Sequence, residues 1–284
     1  MNISLNPRCD AIARPRLRAL VIPREHGAWG MLLVPMATGA AVGLMRGGQA
    51  LPLTCFIVAA MAAFWLRTPV ESWLGATPLR VQTMAERRAV QGFILALSGV
   101  AGVMFTALFW DGRNHSLFPL GMIAALAFVG QAGLKKLSRK LRMAAQVTGA
   151  IGLTAAAPAA YCVVTGHLDS TAAALWLANW LFAGDQIHFV QLRIHAARVQ
   201  GAAAKLRRGG AFLAGQIGMS AALIAAAEFG FLPWLALLAF APVIARGVAW
   251  FVWAAQPLAV RRLGWSELAQ ALTFGALLVA AFRL

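Results

Sequence analysis

Acidic residues are scarce. Only nine of the 284 residues are Asp or Glu, and charged residues of both signs reach 12%, roughly half the share in an ordinary soluble domain. Cysteine occurs three times, as Cys9, Cys55 and Cys162, with no CxxC pair. That spacing excludes a disulfide framework and a cysteine metal site. Cys55 and Cys162 stand in apolar runs and read as small packing residues. Walker A, HExxH and GxSxG motifs are all missing from the sequence. So is a pattern of histidines that would stack two haems. What remains is apolar: 61% of the residues are hydrophobic and the mean hydropathy is +0.72. Long apolar runs recur from Ala28 to Phe282. This excludes a soluble globular enzyme, a disordered chain and a coiled coil. It leaves an all-α, polytopic membrane helix bundle.

The net charge is +16, from 25 Lys and Arg. In a soluble chain such an excess points to nucleic acid. Here no nucleic-acid-binding motif accompanies it, and the lipid bilayer is the expected partner. Nine apolar runs serve as candidate spans: 28–45, 50–66, 91–110, 118–134, 144–165, 171–191, 211–229, 231–245 and 266–283. The two runs beside Pro233 read either as a tight pair or as one broken helix. With nine spans and the N-terminus inside, 22 Lys and Arg fall on the inside. Only Arg46, Arg113 and Arg283 fall outside. Cytoplasmic loops collect such charge, so the expected topology is N-in, C-out in a bacterial cytoplasmic (inner) membrane. Residues 1–27 form a basic cytoplasmic segment without a cleavage site, and 28–284 a single transmembrane domain.

Candidate functional residues gather toward the inside ends of the spans. Glu25 and His26 stand where the first span begins. Gly30, four residues on from His26, suggests close approach of another backbone. Arg67 and Glu71 flank Pro69 at the end of the second span, where proline disfavours helix at Thr68. The sixth span carries Asn179, Gln186 and Arg193 at seven-residue intervals, with Gln200 continuing the series. At about 100° per residue these form one narrow stripe. Asp185, His188 and His195 lie on the adjacent face. Polar side chains inside a span are costly unless they face protein, water or a ligand, so this face is read as a binding pocket. The basic run from Lys135 to Arg142 suits headgroups, and a subset of it could hold a phosphate or diphosphate. Ser266 is a candidate cap for the last helix, with Glu267 in its first turn.

The block Pro23-Arg24-Glu25-His26-Gly27-Ala28-Trp29-Gly30-Met31-Leu32-Leu33-Val34-Pro35 resembles the opening block of the YwiC-like family of bacterial membrane proteins. Looser agreement follows at 67–69, at Asn179 and at 264–267, and the similarity extends from about Pro23 to the end of the chain. This resemblance names a group of membrane proteins rather than an activity. In helix number and loop distribution the chain also resembles, more distantly, the UbiA prenyltransferase superfamily. That resemblance implies an isoprenoid diphosphate substrate, with magnesium held by Asp-rich motifs. The corresponding regions here offer Arg67 and Glu71, then Asp185, His188 and Arg193, without a DxxxD. Two carboxylates are too few for a magnesium pair, so no cofactor is expected; magnesium is the one candidate, without an Asp-rich motif to support it.

These readings converge on a cytoplasm-facing polar pocket that binds or modifies an isoprenoid or lipid-like amphipathic ligand. The pocket residues are His26, Arg67, Glu71, Asn179, Asp185, Gln186, His188 and Arg193, with Glu25 and Glu267 secondary. If the chain is an enzyme, it is a prenyltransferase-like transferase lacking the Asp-rich motifs. The alternatives are a small-molecule or ion transporter and a non-catalytic membrane assembly subunit.

Overall fold

The structure, a computed structural model, describes residues 16–22, 26–75, 79–110, 115–138, 141–197, 199–253 and 258–284. Side chains are described from Trp29 onward in the first long helix. All regular structure among the described residues is helical. Seven stretches are long and apolar enough to cross a membrane: Leu51–Trp73, Met84–Trp110, Leu117–Leu137, Arg142–Thr165, Ala202–Glu228, Trp234–Val252 and Val260–Ala281. The protein is a multi-pass integral membrane protein. Two further helices occupy expected spans. Trp29–Met45 is apolar but short, and Ser170–His195 carries the polar residues of the sixth run.

The chain divides into two compact units. In the first, a short helix α1 (16–21) accompanies α3 (Leu51–Trp73) and α4 (Met84–Trp110). Leu20, Val21 and Val90 form its small buried core. The Trp65 indole donates to the Val21 carbonyl at 2.9 Å, and the Ser72 hydroxyl to that of Leu20 at 3.0 Å. Arg16 reaches Glu86 at 2.6 Å. Glu86 in turn accepts from the Thr83 N–H while the Thr83 hydroxyl accepts from the Glu86 N–H. This reciprocal pair starts α4 as a capping box does. Contrary to the expected break at Thr68, α3 continues through Pro69 to Trp73. Proline removes one ladder donor, a loss that spanning helices accommodate.

The second unit holds α2 (His26–Met45) and α5 to α11: Leu117–Leu137, Arg142–Thr154, Ala156–Thr165, Ser170–His195, Ala202–Glu228, Ala241–Val252 and Val260–Ala281. The helices α6 and α7 form one span, bent at Ala155. A 3-10 segment, Trp234–Phe240, leads into α10. The residues around Pro233 therefore build two helices: α9 ends at Glu228, and Gly230 turns the chain at φ +68°. Helix α8 packs against α6, α7, α9 and α10. Its core is apolar, with Phe182 stacked on Phe274 at 4.0 Å and Phe240 edge-on to Phe274 at 5.2 Å.

Small residues allow the close packing that membrane helices favour. A Cβ on Gly39 of α2 would collide with the Ala157 carbonyl oxygen. Gly30, where the sequence suggests such an approach, has nothing within 4 Å of that position. Of the two cysteines expected to pack, Cys162 is buried and Cys55 is only partly so.

Opposite ends of this unit differ in chemistry. At one, Arg46 donates to the Tyr161 hydroxyl at 2.9 Å, and that hydroxyl donates to Asp169 at 2.8 Å. Asp169 is also the N-cap of α8, accepting from the Ala172 N–H at 3.0 Å. Burial opposes ionisation of Asp169, but the Ala172 and Tyr161 hydrogen bonds, with Arg46 and His167 nearby, outweigh it. Its carboxyl is held below the ordinary aspartate value. At the other end stand Arg142, His195 and Arg208.

Candidate functional site

Helix α8 presents its polar residues to protein. Asn179 and Asp185 are both buried, at 1% and 7% exposure, as the cost of polar groups facing lipid requires. Three further helices join Asp185 in one network. Arg246 of α10 donates from Nη2 to Asp185 Oδ2 at 2.8 Å and from Nη1 to Glu267 Oε2 of α11 at 2.5 Å. The Gln216 amide of α9 donates to Asp185 Oδ1 at 3.0 Å and to the Val243 carbonyl at 3.3 Å. Gln186 donates to the backbone carbonyl of Glu267 at 2.8 Å. The Arg246 guanidinium lies over the Phe189 ring, 4.0 Å from its centroid, an arrangement a planar cation favours.

Local sequence makes this network possible. Gly247 follows Arg246, and a Cβ there would collide with Gln216 Oε1. The glycine therefore leaves room for the amide that binds Asp185. Within the network Arg246 Nε, Glu267 Oε1 and the neighbouring Gln270 Oε1 are buried without a hydrogen-bond partner among the described residues. Behind it, Lys205 is also buried. Its ammonium donates to the Trp250 carbonyl at 2.8 Å and to that of Trp253, where α10 ends. A cation there complements the negative end of the helix.

Two cavities adjoin α8. One, of about 210 Å³, is lined by Val147, Trp180, Leu181, Gly184, Asp185, His188, Phe212, Gly215, Gln216, Gly218 and Met219. It is mostly apolar, and the buried Trp180 indole N–H has no partner among the described residues. A Cβ on Gly184 or Gly218 would meet nothing within 4 Å. The other, of about 330 Å³, is lined by Arg142, Met143, His188, Gln191, Leu192, His195, Arg208, Ala211 and Phe212. His188 and Phe212 belong to both walls, packed edge to face at 5.4 Å.

The expected site residues separate on this map. Asp185, Gln186 and Glu267 join through Arg246 and the Glu267 backbone, and His188 lines both cavities. Asn179 lies elsewhere: its amide donates to the Thr38 hydroxyl at 3.1 Å and to the Leu175 carbonyl at 2.8 Å. It lines neither cavity, and neither does Arg193. Arg67 and Glu71 belong to the first unit and pair with each other at 3.1 Å. Glu25 and the His26 side chain lie outside the described residues.

Other local expectations are corrected. Ser266 does not cap α11, which begins at Val260; its hydroxyl bonds back to the Leu263 carbonyl at 2.8 Å. Glu267 accordingly lies beyond the first turn. Gln200 lies past the end of α8 at His195. Sequence reasoning misses Gln216, and it places Arg246 in an inside loop rather than in the site. A lone arginine in the apolar run 241–252 and a lone glutamine in the Ala- and Gly-rich run 211–227 are the available signals.

Glu71 faces Arg67, while Asp185 is engaged by Arg246 and Gln216. No group of three or more His, Cys, Asp or Glu among the described residues is arranged to hold a metal.

Residues 22–161 match the family model of the YwiC-like protein. Over those residues, just under half of the chain, the sequence is similar to the YwiC-like family. The match runs from the start of α2, through the first unit's long helices, to Tyr161 in α7. The YwiC-like stretch thus supplies Arg142, Met143 and Val147 to the cavity walls. The Asp185–Arg246–Glu267 network lies beyond it. No curated protein and no solved structure matches the chain.

Proposed function

We propose that this YwiC-like protein binds a lipid-like amphipathic molecule in its second unit, from the cytoplasmic side. In this reading nine helices cross a bacterial inner membrane, N-in and C-out. The distribution of Lys and Arg supports that orientation. The observation that carries the ligand reading is the 210 Å³ cavity between α6, α8 and α9. Its walls are mainly apolar side chains, opened by Gly184 and Gly218, with Asp185, His188 and Gln216 among the lining residues. An apolar cleft with a few convergent polar groups is the usual form of a small-molecule site. The unpartnered Trp180 indole adds a donor that a ligand oxygen can accept from.

The test is co-purification. Wild-type protein in a mild non-ionic detergent should retain a lipid identifiable by mass spectrometry. Gly218→Leu, whose side chain would enter the cavity, should fold and lose it. Equal retention by both proteins would refute the cavity as the binding site.

A further inference from the structure

We infer that the ligand's headgroup is an anion of the phosphate class, held by Arg142 and Arg208 in the 330 Å³ cavity beside the apolar one. This inference rests on the ligand-binding reading above and specifies its chemistry.

Arg142 from α6 and Arg208 from α9 stand in the wall of one cleft, with His188 and His195 from α8. Among the described residues no carboxylate lines it. The nearest acid in the adjoining cavity is Asp185, already neutralised by Arg246 at 2.8 Å. Two permanent cations facing one concave space attract an anion, and guanidinium groups can each hold two phosphate oxygens without a metal.

The Nδ1 atom of His195 lies 2.8 Å from the Gln191 carbonyl oxygen. That hydrogen bond requires the proton on Nδ1, so Nε2 donates only when the ring is charged. Arg142 is also the first residue of α6, whose N-cap residue, Leu141, makes no side-chain cap hydrogen bond among the described residues. The positive end of this helix adds to the same field.

His188 and Phe212 form part of both walls, so one molecule can place its headgroup in the basic cavity and its chain in the apolar one. Gly215 permits this arrangement, since a Cβ there would stand 3.1 Å from His188 Nδ1. The occupant that fits is an anionic lipid of the cytoplasmic leaflet.

The experiment uses the full-length protein in dodecyl maltoside micelles containing phosphatidylglycerol or phosphatidylcholine, with retained lipid measured by native mass spectrometry. Wild type should retain phosphatidylglycerol in preference to phosphatidylcholine, and less of it as salt rises. Removing one charge-assisted hydrogen bond should weaken binding about tenfold, so Arg142→Gln with Arg208→Gln should weaken it by tenfold or more. Arg142→Lys with Arg208→Lys should recover part of it. Melting temperature and elution volume report whether each variant is folded. Equal retention of the two lipids, or unchanged phosphatidylglycerol binding by the folded Gln variant, would overturn the inference. Inorganic phosphate should compete weakly, because it lacks the chain. If it competes as well as lipid, and Gly218→Leu binds normally while the Gln variant does not, the anion site stands and the amphipathic reading falls.

Discussion

Arg246→Met isolates the most heavily coupled group in the second unit. The Arg246, Asp185 and Glu267 side chains are 11%, 3% and 13% exposed. Removing the guanidinium leaves Asp185 with one hydrogen bond, from Gln216, and the Glu267 carboxylate with none among the described residues. Breaking a buried ion pair by deleting one partner costs about 3–5 kcal/mol, because the surviving charge is left uncompensated. At a few degrees per kcal/mol for a chain of this size, the melting temperature should fall by on the order of 10 °C.

The sign reverses when the acids are neutralised too. Asp185→Asn and Glu267→Gln in the Arg246→Met background remove both stranded charges, so this triple variant should recover most of the stability. Arg246→Lys should fall between, since a single ammonium cannot fork to two carboxylates as guanidinium does. The assay is thermal unfolding in detergent, followed by tryptophan fluorescence and by size exclusion. If Arg246→Met melts within ~2 °C of wild type, or if the triple variant is less stable than the single one, the guanidinium is not what compensates these acids.

Two other predictions test the opposite end and the topology. The carboxyl of Asp169 is depressed in the folded protein, so its stabilising contribution is present above the unfolded aspartate value and is lost as pH falls through the folded one. Asp169→Asn should therefore lower the melting temperature at neutral pH and flatten its acid limb; an unchanged acid limb would contradict the assignment. Reporter fusions after Leu284 should be periplasmic and fusions after Arg142 or Arg207 cytoplasmic, and a cytoplasmic C-terminus would refute the nine-span orientation.

Much of the secondary structure is legible in the sequence because hydropathy is local. Each of the nine apolar runs lies largely within helix, including 171–191, where Asn179, Asp185 and Gln186 interrupt the apolar pattern. Helix ends are less legible. Hydropathy reports where lipid begins, whereas the backbone ladder continues into water. For this reason α11 starts at Val260, before Arg261 and Arg262, rather than at Ser266. Likewise α10 extends beyond residue 245 to Val252 and carries Arg246 with it.

Site residues are legible only where the signal is intrinsic to one helix. The polar residues of α8 announce that partners exist, because intramembrane polar groups demand them. Their identity depends on which helices become neighbours, and no spacing in the sequence records that Asp185 meets residues 216 and 246. Arg67 is the opposite case. Its nearest charge in sequence, Glu71, is its partner at one helical turn. The basic run ending at Arg142 reads as a headgroup surface, but the residue completing its cleft, Arg208, lies on α9.

The geometry also decides which substitutions can distinguish binding from folding. Asp185 and Gln216 line the apolar cavity and simultaneously hold α8, α9 and α10 together. Loss of ligand in Asp185→Asn would therefore have two causes at once. Gly218 and Arg208 are on α9 and Arg142 begins α6, all outside the ion network. Arg142 and Arg208 are exposed, so neutralising them leaves no buried charge behind. A side chain at Gly218 enters open space rather than a packed neighbour. These three positions change the chemistry or volume of the cavities without removing a buried partner, so a binding defect in their folded variants belongs to the cavities themselves.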